Sequence, residues 1–189
     1  KMRGVLLNLG ETMLNTAPGT IGIGGQWQVV VQAIDSGDFG GTFCWMGQNY
    51  AVMKGDPDFN YTVQEWLDEM QRISTDPATG RPFLPGDMVE IRARAPGLFR
   101  GGKTNINEKH DNDPINDFDL VLLEPARGIP ASISITLESL KDSADNFIFD
   151  YTRQTGCERY QGEIVEIQNV SFVSTAGWAP ETMMTIQDN

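Results

Sequence analysis

At 189 residues the chain is long enough for one large domain or two small ones, each able to bury a core. Its 40% hydrophobic and 9% aromatic content excludes a disordered chain, and its longest apolar runs, VLLNL and LVLLEP, are far too short to span a bilayer. The net charge of -12 repels phosphate backbones, which are bound chiefly through Lys and Arg, and suits calcium-rich extracellular settings where carboxylates meet hard cations.

No basic stretch followed by an apolar run marks a signal peptide. The chain opens on Lys1 rather than Met, as expected of a processed form or an excised piece. RGVLLNLG reads as a short apolar strand, followed by a polar connection ending at Pro18. The glycine-rich GTIGIGG matches neither GxxxxGK[ST] nor GxGxxG, because Gln26 and Trp27 stand where those patterns need other residues. It is expected to be a flexible lead-in. WQVVVQAID is a strong strand, β-branched and closed by the turn DSGDFGG. TFCWMGQNYAVM predicts a second strand, bent at Gly47 into a third.

The period then changes. In NYTVQEWLDEMQRI, Val63, Trp66, Leu67, Met70 and Ile73 fall at helical spacing, with Thr62 as N-cap and Glu65 three residues on. The helix is expected over residues 62–73. STDPATGRPFLPGD is a turn-rich loop. DMVEIRARA returns to strand alternation, GLFRGGKTNIN supplies a hairpin partner, and DFDLVLLEP is a further apolar strand. Three strands, a helix and two strands is the order of an OB-fold, a small five-stranded barrel. The expected fold is therefore mainly β: an OB-fold-like barrel with one helix over residues 1–125, followed by a second OB-like β unit over 126–189. In that second unit, ASISITLESLKDS runs from strand into short helix with Leu137 and Leu140 inward. GEIVEIQNVSFV alternates through Ile164, Val165, Ile167 and Val170 and bends near Asn169. TMMTIQDN is one more strand. No return strand follows it, so the second unit is expected to be completed by further sequence or by another chain.

These stretches carry a resemblance. GDMVEIRARA, GLFRGGKTNI, FDLVLLEP, the proline-containing link and LESLKDS with ERYQGEIVEIQNVSFV are similar to a module of large secreted bacterial proteins. In these, tandem OB-like domains precede extracellular nuclease domains or stand in surface proteins of planctomycete type. The similarity spans roughly residues 25–189 and rests on turns and strand patterns. It implies a secreted or surface protein, and no catalytic domain comes with it: a nuclease centre needing two histidines is absent from a chain with one histidine.

The densest acidic stretch is EKHDNDPINDFD. Asp111, Asp113, Asn116, Asp117 and Asp119 form a candidate calcium site, since calcium takes six to eight oxygens at flexible geometry. The EF-hand pattern fails, with no Gly at the sixth position from Asp111 and no Glu at the twelfth, and an Asx-rich turn capping its own backbone is the competing reading. His110 beside it reads as a surface residue. Asp56, Asp58 and Asn60 have the spacing of the first EF-hand ligands, but Tyr61 and Leu67 break the pattern, and capping of the helix is expected. Asp35 and Asp38 read as a turn.

OB barrels present stacking aromatics on strands 2 and 3. Trp45 and Tyr50 fall there and are candidate ligand-binding residues, together with the basic set Arg92, Arg94 and Arg100; core packing is the competing fate for the aromatics, as for Trp27 and Phe99. Cys44 and Cys157 read either as one bridge closing a long loop or as two free thiols. No nucleophile with a base, selected carboxylate pair or phosphate loop is present, so no enzyme is expected. The expected function is assembly, adhesion or ligand display by an extracellular or cell-surface β protein that self-associates by strand addition. The alternative is an accessory nucleic-acid- or glycan-binding domain of a secreted hydrolase.

Overall fold

Alternation builds the centre of the fold. Strand β4 (Trp27–Ala33) buries Trp27, Val29 and Val31 while Gln28 and Val30 stay half-buried on the other face. Around it, a computed structural model describes residues 1–19, 22–25, 27–46, 63–93, 96–98, 104–108, 118–150, 155–179 and 182–189. The chain is mainly β, and its principal element is a curled half-barrel sheet.

In that sheet β1 (Met2–Leu6) lies between β4 and β6 (Met88–Ala93), antiparallel to both. β4 turns at Asp35–Asp38 into β5 (Gly41–Met46), also antiparallel. β9 (Phe118–Glu124) pairs antiparallel with β6. β7 (Pro96–Leu98) and β8 (Thr104–Glu108) make a hairpin, and β8 runs parallel to β5. The order across the sheet is β7-β8-β5-β4-β1-β6-β9. The helix Val63–Ile73 joins β5 to β6. Its Leu67, Met70 and Ile73 pack on the core made by Leu6, Trp27, Val29, Val31, Val89, Ile91, Phe118 and Leu120, as their spacing predicts. No helix among the described residues is long and apolar enough to cross a membrane.

Two expectations about connections need correcting. GTIGIGG is more than a lead-in: β2 (Leu14–Gly19) and β3 (Gly22–Gly25) form an antiparallel hairpin with a bulge between Asn15 and Pro18. Backbone pairing needs no side-chain pattern, so glycine hides it. The strand after DMVEIRARA does not pair back onto it; β7 and β8 pair with each other, and β8 crosses to β5. The third strand expected after Gly47 and the N-cap Thr62 lie outside the described residues.

Beyond residue 125 the elements are short. β10 (Ile133–Ile135) pairs in parallel with β11 (Val165–Ile167), and β12 (Val170–Phe172) antiparallel with β13 (Ile186–Asp188). The bend predicted near Asn169 separates β11 from β12, with Asn169 at φ 56°. Leu137 is buried and Leu140 half-buried. This region is sutured to the β4–β5 turn. Gly41 N donates to Gln161 O at 2.6 Å, Gly40 N to Glu163 Oε1 at 2.6 Å, and Ile164 N to Gln32 Oε1 at 3.2 Å. The Arg159 guanidinium stands 4.8 Å from the centre of the Phe39 ring. Gly41 and Gly162 meet back to back: a Cβ on Gly41 would lie 2.5 Å from Gly162 O, so neither position has room for a side chain.

Candidate functional site

Among the described residues, a cavity of about 210 Å³ lies beside Trp27. Its floor is the Trp27 indole, 1% exposed, stacked on Phe118 at 6.1 Å. The indole Nε1 donates to Ser74 Oγ at 2.8 Å, so the ring's polar atom is satisfied within the protein. Gly10 passes over the indole edge, and a methyl group there would overlap the ring. Leu6, Val29, Phe83 and Leu120 make apolar walls. The mouth carries Leu9 and Leu84, each 46% exposed, with the polar groups of Glu11, Gln71 and Thr75. Gln71 Nε2 donates to Thr75 Oγ1 at 2.8 Å.

Two buried carboxylates hold the loop that forms one side of this mouth. Asp76 accepts from Thr79 Oγ1 at 2.7 Å, Thr79 N at 3.0 Å and Leu122 N at 3.1 Å. Burial pushes its pKa up, but these hydrogen bonds, led by the Thr79 hydroxyl, outweigh it and leave the group below the ordinary aspartate value. Asp87 takes both Arg81 terminal nitrogens at 2.6 and 3.1 Å and accepts from Leu84 N and Ala126 N. Its pKa is likewise lowered: burial opposes ionisation, and the Arg81 contact with the two backbone donors prevails. Both groups are satisfied by protein partners, which fits pinning the 74–87 loop to β9.

The sequence-predicted residues are dispersed. Asp111, Asp113, Asn116 and Asp117 lie outside the described residues, as do His110, Asp56, Asp58 and Asn60. Asp119 sits on β9 and accepts from Arg72 Nη1 at 2.8 Å, and the same guanidinium holds Glu69. Among the described residues no group of three or more His, Cys, Asp or Glu is placed to hold a metal. Trp45 is half-buried on β5, opposite Gln28 on the face away from the core. Tyr50, Phe99, Arg94 and Arg100 lie outside the described residues. Arg92 is exposed on β6, its Nε 2.7 Å from Glu90. Glu90 is 5% exposed and also faces Lys1 and Arg3; the Arg92 contact, acting against burial, lowers its pKa. Asp35 and Asp38 form the expected turn. Cys44 is a free thiol in the core, its pKa pushed up by burial, and Cys157 is a half-buried free thiol.

The cavity was not legible in the sequence, because its walls come from β1, β4, the 74–84 loop and β9. Only Gly10, with the exposed Leu9 before it, leaves a local signal. No protein-family model matches this sequence, and comparison with curated proteins and with solved structures finds no match.

Proposed function

We propose that this chain is a non-catalytic extracellular or cell-surface β protein, with an OB-like unit over residues 1–125 and a second β unit over 126–189 that serves assembly, adhesion or ligand display. One observation carries the reading. Among the described residues, eight of the eleven exposed large hydrophobics (Ile129, Ile133, Phe147, Phe149, Phe172, Val173, Trp178 and Met183) fall in the second region. Exposed apolar side chains concentrated in one stretch of chain support a contact role, and, among the described residues, the two-stranded pairs there carry edges open to a further strand. The OB-like reading is supported by connectivity. Without the β2–β3 and β7–β8 hairpins, the chain runs three strands, helix, two strands, with β1 in the middle of the sheet. The resemblance of residues 25–189 to secreted bacterial modules supports the setting.

A second reading, an accessory glycan- or nucleic-acid-binding unit of a secreted hydrolase, is favoured by Phe43 and Trp45. They share one face of β5, beside Gln28 and Val30 of β4, the place where OB units stack rings or bases.

Light scattering over a concentration series tests the choice. Association that grows with concentration and strengthens with salt supports the first reading, because salt screens repulsion between copies of charge -12. A monomer under every condition that binds single-stranded DNA or glycan transfers the conclusion to the second; DNA binding should weaken with salt. Calcium at Asp111–Asp119 belongs to the proposal and has its own test. A metal held only by the folded form raises the melting midpoint, so a midpoint unchanged between millimolar calcium and chelator removes the site.

A further inference from the structure

We infer that the cavity beside Trp27 receives one large apolar side chain from a partner polypeptide segment rich in Lys or Arg. Three observations converge on this occupant. The first is size. About 210 Å³ falls below the roughly 300–1,000 Å³ of sites that enclose a drug-sized ligand and accommodates a single side chain.

The second is the distribution of polarity. The deep walls are aliphatic and aromatic, and the indole N–H at the floor is occupied by Ser74, so the interior asks for an apolar group. Leu9 and Leu84 carry the apolar surface outward onto the rim, as at an interface where an anchor residue enters a pocket and its neighbours lie across the edge. Gln71 and Thr75 at the mouth are positioned for the main chain on either side of the anchor.

The third is charge. The charged residue lining the mouth is Glu11, and Asp68 stands one helical turn before Gln71, exposed. The cations adjacent in sequence to lining residues are both engaged: Arg81 with Asp87 and Arg72 with Glu69 and Asp119. The rim is therefore negative on a negative protein, which attracts a basic segment and repels an acidic one.

The test titrates the full chain with acetylated, amidated pentapeptides and follows proton–nitrogen correlation spectra. Lys-Lys-Leu-Lys-Lys is expected to shift the Trp27 indole N–H and the amides of Ser74 and Thr75 together. Lys-Lys-Ala-Lys-Lys should bind at least about tenfold more weakly, having lost most of the buried aliphatic group, and Glu-Glu-Leu-Glu-Glu should bind more weakly as well. Leu84→Asn, at a half-exposed position, is expected to lower affinity for the leucine peptide about fivefold with an unchanged melting midpoint. Several outcomes overturn the inference: equal binding of the leucine and alanine peptides, tighter binding of the acidic peptide, or shifts confined to residues 129–183. So does the absence of any shift at millimolar peptide, or leucine amide binding as tightly as the leucine pentapeptide. The association test above reads a different surface, so either result stands without the other.

Discussion

The half-barrel sheet and the region after residue 125 handle apolar side chains in opposite ways. In the sheet, Trp27, Val31, Val89, Ile91 and Phe118 are almost fully withdrawn from water. The helix, the 74–87 loop and six strands share the task. In the later region Ile135 and Leu137 are buried, while Phe149 is 62% and Trp178 61% exposed. Phe172 and Trp178 meet edge to face with centroids 5.1 Å apart, and both residues stay exposed to water. Strands of three residues cannot enclose rings of that size. The contrast teaches that a shared β character does not confer equal stability: the first region owns its core, whereas the second depends on what it touches.

Truncating Trp27 to Ala attacks the side that owns a core, and the loss should be the largest, about 3–5 kcal/mol, read from urea unfolding. Asp87→Ala comes next. It frees Arg81 and takes the carboxylate partner from the Leu84 and Ala126 amides, at about 2–3 kcal/mol. The same carboxylates set the response to acid. Asp76, Asp87 and Glu90 have folded pKa values below their ordinary ones, so the unfolded chain binds protons first as pH falls. Their stabilisation is fully present above the unfolded values near about pH 4 and is lost as pH drops through the lower folded ones. The urea midpoint should fall on that acid limb, and less steeply in Asp87→Ala than in the parent.

Gly41→Ala probes the joint between the regions. With a Cβ 2.5 Å from both Gly162 O and Val31 O, the cost should be about 1–3 kcal/mol. Hydrogen exchange should accelerate at the Gly41 and Ile164 amides more than in β1 and β6. Uniform acceleration would mean that the regions open as one unit and would erase the comparison. Trp178→Ala is the smallest change, within about 0.5 kcal/mol for so exposed a ring. A loss of several kcal/mol would show that the apparent patch is packed in solution.

Side-chain periodicity made the central elements legible. The β-branched run of β4, the apolar alternation of β6 and β9, and the Leu67–Met70–Ile73 stripe each announce a buried face. Asn169 marked the break between β11 and β12 because a polar residue inside an alternating run can adopt a left-handed turn. Pairing partners were hidden. Nothing local tells β8 to lie parallel to β5, and the glycines of β2 and β3 pair through backbone alone. The two Asp of the 74–87 loop read as turn formers, since their distant donors, Leu122 N and Ala126 N, are main-chain groups that every residue has. The cavity lining escaped for the same reason: it is assembled from segments far apart in the chain.

Main chain set against main chain at Gly41 and Gly162 leaves no room for a cushioning side chain between the halves of the molecule. A pull on the Phe172–Trp178 surface would therefore reach β5, the strand bearing Trp45, through main chain and with little slack. Whatever grips the outer patch holds the sheet by one of its own strands.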